Sequence, residues 1–425
     1  MAFTEPQVLL AVLVFAATLL AVIYSRLRRP SSGLPLPPGP PSDSIFGTSF
    51  QSELYQWTQE YGPVFSFRQG LKTVVVVGRF QAAVDIMEKE GAALVDRPRS
   101  IAAGETLSGG MRVLLTPAGE RFKKMRRALH SHLQPKSVAS YSPVLMKTAR
   151  QNMLDIIQDP ERHQDHAKRY AAAVVMALAY GKVPPSYEDP EVQSVNRCLT
   201  RLGLTMRAGA WRVDIFPLLK GDEVPSSFGK YLIERQKEYQ LNDDETAYLA
   251  GSMFGAGSDT TASAISVAVM AATCYPETQK KVQEELDAVI GKDRPPTFAD
   301  QDILPQTMAF VLESFRWRPV TSGGFPHKAT RDIIWTGRLR DDIRSYPFGF
   351  GRRVCPGQHI ATASTYINTA LTLWAFRLRE NEKEKIDTLA FTESANAHPM
   401  PFKVLFEPRL GGWDAVKEAF EAYGM

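Results

Sequence analysis

Phe348-Gly349-Phe350-Gly351-Arg352-Arg353-Val354-Cys355-Pro356-Gly357 is the stretch on which the reading of this chain turns. Gly349, Gly351 and Gly357 open backbone geometries closed to other residues, and Pro356 interrupts regular pairing, so the segment is a loop. From Gln358 onward, His359-Ile360-Ala361 and the apolar run through Leu371 read as a helix. Cys355 therefore stands just before a helix N-terminus, where unpaired N–H groups and the helix dipole favour a thiolate and depress its pKa. Arg352 and Arg353 add positive charge immediately upstream. The other cysteines are Cys198 and Cys274, which leaves neither a disulfide framework nor a zinc cage.

A thiolate held this way meets the requirement of an axial ligand to haem iron. A lone cysteine in a glycine-rich turn is more often simply structural, so the neighbouring stretches decide. Upstream, Glu313-Ser314-Phe315-Arg316 puts opposite charges three apart on one helical face, and Pro319 ends that helix. Set among Phe310, Val311, Leu312 and Phe315, the pair reads as partly buried. A long helix spans Asp243 to Met270, and its middle reads Phe254-Gly255-Ala256-Gly257-Ser258-Asp259-Thr260-Thr261. Each glycine there costs about 1 kcal/mol against alanine, which predicts a close approach or a local widening of the helix. Asp259 beside Thr260 in a largely apolar helix is an expensive placement without a partner or a role. An ordinary polar helix face is the plain alternative.

Further towards the N-terminus, Phe122, Met125, Leu129 and Leu133 form an apolar helical stripe, while Arg121, Lys123, Lys124, Arg126 and Arg127 crowd the remainder. Such a face is either solvated or a docking surface. Ala167 to Tyr180 reads as a helix closed by Gly181 and Pro184-Pro185, and Pro63–Phe67 with Thr73–Val77 read as a β-hairpin. Between Glu5 and Arg26 there is no charge, and Val8 to Ile23 is almost wholly apolar. About twenty such residues span one hydrocarbon core of roughly 30 Å, so residues 1–25 read as a membrane anchor. A cleaved signal would carry its positive charge first; here Arg26, Arg28 and Arg29 follow, which turns the rest of the chain towards the cytosol. A basic, Pro-rich hinge covers 26–45, with Pro35-Leu36-Pro37-Pro38-Gly39-Pro40-Pro41 a stiff extended linker. The net charge of +4, from 50 basic and 46 acidic residues, is too weak to imply nucleic acid.

In this order the segments resemble the cytochrome P-450 (haem-thiolate) monooxygenases of fungal microsomal type. The loop spells the family's Phe-x-x-Gly-x-Arg-x-Cys-x-Gly at every fixed position. Residues 256–260 are similar to its Ala/Gly-Gly-x-Asp/Glu-Thr motif, and Glu313 and Arg316 to its Glu-x-x-Arg motif. The resemblance implies a mainly α protein with a small β-rich lobe, the cytochrome P-450 fold, over residues 46–425, preceded by one transmembrane helix. It implies haem b with Cys355 as axial ligand to iron, and Phe348, Arg353, Arg126, His327 and Ala256 around the cofactor. Asp259 and Thr260 would deliver protons, and Glu313 with Arg316 would form a structural lock. Phe122 stands where the family usually has a tryptophan that donates to a haem propionate.

The implied chemistry is hydroxylation of an apolar small molecule with O2, in fungal secondary metabolism. No glycine-rich nucleotide loop follows a strand, so electrons would come from a separate NADPH–cytochrome P-450 reductase. The implied location is the endoplasmic reticulum membrane, single-pass and in contact with lipid, with the catalytic domain cytosolic and no nucleic-acid partner. Two blocks look excised: Leu218-Leu219-Lys220 runs straight into Gly221-Asp222-Glu223, and Gly337 to Asp342 passes almost directly to the cysteine loop. A shortened relic with impaired catalysis, or a non-catalytic membrane protein binding haem or a partner, is the rival reading. A gas or redox sensor would keep haem but have no use for Asp259 and Thr260.

Overall fold

The computed structural model describes residues 36–40, 50–69, 72–182, 189–190, 192–193, 202, 206, 243–331, 333, 346–392 and 394–422. The anchor, most of the hinge and both shortened regions lie outside the described residues. Among the described residues no helix is long and apolar enough to cross a membrane. The chain divides into two compact units, one of residues 1–93 and 329–341, the other of 94–328 and 342–425.

The smaller unit holds helix α1 (Phe50–Tyr61), strands β1 (Val64–Gln69) and β2 (Lys72–Val77), and the short helix α2 (Phe80–Ala83). The hairpin forms where the β-branched run predicts it, antiparallel, with Val64 opposite Val77 and Phe67 opposite Val74. Trp57 of α1 packs its ring on Phe65 and Phe67, which lie two apart on one face of β1. The outer edge of β1 receives the end of the Pro-rich stretch. Ser66 donates its backbone N–H to Pro38 O (2.9 Å) and its hydroxyl to Pro37 O (2.7 Å). Gly39 is required there, because a Cβ would fall 1.7 Å from the Ser66 carbonyl oxygen.

The larger unit is helical: α3 (Glu120–Leu133), α4 (Pro135–Ser140), α5 (Ser142–Gln158), α6 (His163–Tyr180), α7 (Asp243–Cys274), α8 (Pro276–Val289), α9 (Pro305–Trp317), α10 (Gln358–Ala375) and α11 (Trp413–Ala422). Strands β3 (Phe376–Arg379) and β4 (Leu405–Pro408) add a second two-stranded antiparallel sheet. Proline opens α4, α5, α8 and α9, where its missing N–H costs nothing. Gly181 closes α6 in the left-handed conformation (φ 65°), as the sequence predicts. The long helix runs four residues past the expected Met270, because Ala271 to Thr273 are as buried as the turns before them.

The core gathers around α7 and α10. From Ser364 to Ala375 every residue of α10 is buried. Burying Ile367, Leu371 and Leu373 at about 1.5–3 kcal/mol each fixes this helix firmly behind the cysteine loop. Two buried glutamines of α8 stitch the helices to β3. Gln279 Nε2 donates to Ala272 O and Leu378 O (both 2.9 Å), and Gln283 Nε2 donates to Phe376 O (2.8 Å). The glycine cost in α7 has its compensation at Gly257, where a Cβ would meet Val175 Cγ2 of α6 at 2.6 Å. Close helix approach, the first of the two predicted causes, is what that glycine serves.

Candidate active site

Two 3₁₀ turns, Tyr346–Phe348 and Gly351–Arg353, shape the cysteine loop. Gly349 (φ 79°) and Gly351 (φ 59°) occupy the left-handed region that side chains avoid. Gly357 does not; its φ is −89°, so the special geometry expected of it is absent. The loop closes through Cys355 N–H to Phe348 O (2.9 Å) and Val354 N–H to Gly351 O (3.1 Å). Phe348 packs edge-on against Phe315 of α9, ring centroids 5.5 Å apart, in a cluster with Ala264, Val311 and Val320. Ala264 lies one turn beyond Thr260 on α7, so the same packing brings the loop against the Ala256–Thr260 helix.

The thiol departs from the expected electrostatics. Burial pushes the Cys355 pKa up, more than the N–H groups of Gly357 and Gln358 and the charge of Arg126 pull it down. The helix N-terminus acts as expected, but the nearby cation is Arg126, not Arg352 or Arg353. Arg353 is turned away, donating to Val95 O (2.7 Å), Val113 O (3.3 Å) and Thr116 O (2.8 Å). A thiol in this setting becomes a thiolate readily only with a cation in contact.

Around the loop, cations outnumber acids: Asp96 acts on Arg353 over distance, but its own ion pair is with Lys328. Arg97 is 6% exposed and donates to Leu114 O (3.1 Å), Phe325 O (2.9 Å) and Pro326 O (2.6 Å). Arg126 Nη2 donates to Val354 O (2.9 Å), inside the cysteine loop. The Arg353 guanidinium lies 3.5 Å from the Phe122 ring centroid, so Phe122 serves as a cation–π platform, worth about 0.5–2 kcal/mol. His327 Nδ1 lies 2.6 Å from Leu94 O, which leaves Nε2 free. Among the described residues no carboxylate forms an ion pair with Arg97, Arg126 or Arg353. Burial lowers the Arg97 pKa to about 10; burial, then Arg97 and Arg126, bring Arg353 to about 10. Burial, then Arg97 and Arg353, hold His327 at about 4. Three guanidinium groups crowded like this are costly until a dianion joins them. Haem, with an iron for the thiol and two carboxylates for the arginines, fits this set.

On α7, Ala256 is exposed between buried Gly255 and buried Ser258, so this side of the helix faces open space. Thr260 Oγ1 donates to Ala256 O (2.6 Å), which puts both on one face as the sequence predicts. Asp259 turns elsewhere. Its carboxylate accepts from Asn396 Nδ2 (2.9 Å) and from His398 Nε2 (3.1 and 3.2 Å). Burial tends to raise the Asp259 pKa, but His398 and Asn396 outweigh it and hold the carboxyl below its usual range. Glu313 and Arg316 pair at 2.7 Å, yet both side chains are 57% exposed, against the expected burial. Helix α9 buries Thr307, Phe310, Val311, Ser314 and Phe315, and the pair sits on the opposite side with exposed Leu312. An exposed pair of this kind contributes about 0–1 kcal/mol.

The sequence matches the family model described as Cytochrome P450 over residues 37–223, 219–341 and 335–406. The chain belongs to the cytochrome P450 family. It is a haem-thiolate monooxygenase by that membership, and haem is its cofactor. Cytochrome P450 monooxygenase 64 of Postia placenta is 45% identical over 481 residues, covering 95% of this chain and 97% of that protein. Cytochrome P450 monooxygenase 113 of the same fungus is 46% identical over 461 residues, covering 90% and 93%. A solved zebra fish cytochrome P450 with abiraterone superposes with a TM-score of 0.68 at 21% identity, over 84% of this chain and 99% of that one. The fold of this P450 is therefore the family's. Both matches to the fungal relatives run over more positions than the 425 residues of this chain. The matched segments change over at 219–223 and 335–341, where the two blocks look excised.

Arg97, Asn396 and His398 escape the sequence reading. Asp96-Arg97-Pro98 looks like any charged turn, and Asn396-Ala397-His398-Pro399 like any loop. Their partners lie far along the chain, and only a signal of long range would have found them.

Proposed function

We propose that this P450 hydroxylates an apolar small molecule of fungal secondary metabolism, using O2 and electrons from NADPH–cytochrome P-450 reductase. The observation that carries the reading is the set of wholly or partly buried guanidinium groups, without an ion-paired carboxylate, gathered around the Cys355 loop. Cys355 would ligate the iron, and Arg97, Arg126 and Arg353 would hold the two carboxylates; His327, whose hydrogen on Nδ1 goes to Leu94 O, would join them only when protonated. Haem, when bound, supplies activation of dioxygen and transfer of electrons. The chain's own work is positional: α10 holds the loop, Phe348 wedges it against α9, and Ala256 keeps the open face of α7 small. Thr260 would hold a proton on that face, and Asp259, turned from it towards Asn396 and His398, would pass protons to it from the side.

Arg121, Lys123 and Arg127, exposed on α3, supply a basic surface suited to an acidic reductase. The uncharged run at 8–23, followed by arginines, supports anchoring in the endoplasmic reticulum membrane, in contact with lipid and with the domain in the cytosol. An impaired, shortened form of the same enzyme is the second reading, favoured by the exposed Glu313–Arg316 pair and the missing positions.

A reduced, carbon-monoxide-bound absorption spectrum of the purified chain tests both. The far-red-shifted Soret band of a thiolate-ligated haem is expected, and Cys355→Ala should abolish it. An unchanged band in that variant would refute the ligand assignment. A haem-to-protein ratio well below unity would favour the impaired form.

A further inference from the structure

We propose that His398 is the positioning residue for Asp259. Its Nε2–H, with the Nδ2–H of Asn396, holds the carboxylate in one orientation and so sets the acid beside the open face of α7. The inference rests on the reading of Asp259 as a proton-delivering group and adds what fixes it.

The geometry leaves little freedom. Asn396 Nδ2 reaches Oδ2, and His398 Nε2 lies within 3.2 Å of both carboxylate oxygens. Facing an ionised carboxylate, Nε2 must carry a hydrogen whatever the state of Nδ1. The donors are themselves fixed. Ala397, between them, donates its N–H to Val320 O (2.7 Å) and accepts from Ser263 Oγ (2.9 Å), one turn beyond Asp259 on α7. His398 N–H donates to Thr392 Oγ1 (3.0 Å), and Asn396 Oδ1 accepts from Thr321 Oγ1 (3.3 Å). The segment is thus tied to α7 one turn beyond the carboxylate it serves, and to the Val320–Thr321 stretch on its other side. Donors fixed before the acid ionises cost no reorganisation when it does.

The charged groups acting on Asp259 are His398 from this segment and Lys168 from α6, the latter shared with Asp165 at 3.0 Å. Both favour the carboxylate. The Asp259 side chain is 26% exposed, open enough to reach water. Without the Nε2 donor the carboxyl would gain rotational freedom and take up its proton at higher pH.

The test uses the haem-loaded chain with its reductase and three variants, Asp259→Asn, His398→Phe and His398→Gln. The first readout needs no turnover: the infrared carboxyl titration of Asp259, assigned by its loss in Asp259→Asn. His398→Phe should raise that titration by about one pH unit, the scale on which a partner moves a carboxylate. His398→Gln, which keeps an N–H donor, should restore most of the shift. The second readout is hydrogen peroxide released per NADPH with 7-ethoxycoumarin as an apolar probe. Asp259→Asn and His398→Phe should both raise it, and His398→Gln should bring it back. An unmoved titration in His398→Phe would overturn the proposal even if Asp259→Asn uncouples. A wild-type peroxide ratio in Asp259→Asn would overturn the underlying reading of Asp259 instead. Should His398→Phe not fold, Asn396→Ala removes the other donor, and an unmoved titration there overturns the clamp equally.

Discussion

Gly257→Ala probes the contact that sets the height of α7 over its neighbour. The added Cβ would stand 2.6 Å from Val175 Cγ2, whereas carbon contacts settle near 3.5–4.0 Å. Helices α6 and α7 must therefore part by about 1 Å, or Val175 must leave its rotamer. Overpacking of this kind costs about 1–3 kcal/mol, and alanine returns about 1 kcal/mol of helix propensity. The net expectation is about 0–2 kcal/mol of destabilisation. Val175→Ala removes both methyl groups, of which Cγ2 clashes, and alone costs about 1.6 kcal/mol of transfer energy plus a cavity contribution. Combined, the two changes should be less harmful than their sum by about 1–2 kcal/mol, a favourable coupling measurable by urea denaturation of all four proteins. Because Ala256, Asp259 and Thr260 ride on the same turn, Gly257→Ala alone should also raise peroxide release per NADPH, and the pair should restore it. Strict additivity, with a Gly257→Ala protein as stable and as coupled as the parent, would refute close approach as the reason for this glycine.

Two further outcomes follow from burial and charge. His163, 3% exposed and bonded to Phe402 O (3.2 Å), is held neutral by burial with its pKa lowered to about 4. A histidine depressed from about 6.5 stabilises the fold above that pH and loses this contribution as pH falls towards 4, about 3 kcal/mol in all. Urea midpoints at pH 7 and pH 4.5 should therefore fall less steeply in His163→Gln than in the parent; equal slopes would exclude His163 as the acid-sensitive group. Protease added to intact microsomes should digest the chain after Pro30 if, as proposed, the arginines after the apolar run keep it in the cytosol; protection until detergent is added would refute that topology.

What the sequence determined by itself was local. The cysteine loop with its two left-handed glycines, the closure of α6 at Gly181, the β1–β2 hairpin and the apolar stripe of α3 all follow from residues within a few turns of one another. Their spacing specifies backbone geometry and the face that will be buried, and those are properties of a short segment. The pairing of Thr260 with Ala256 belongs here too, since four residues on a helix always meet.

Only the tertiary structure decided what each face would meet. Asp259 finds its donors 137 and 139 residues downstream, and Arg97 finds Pro326 O 229 residues away. Glu313 and Arg316 had apolar neighbours in sequence, yet α9 turned those neighbours inward and left the pair in solvent. Cys355 had the helix N-terminus its sequence promised, but burial outweighed it and raised the thiol's pKa. Desolvation and pairing depend on everything that packs around a group, and no window of sequence contains that surrounding.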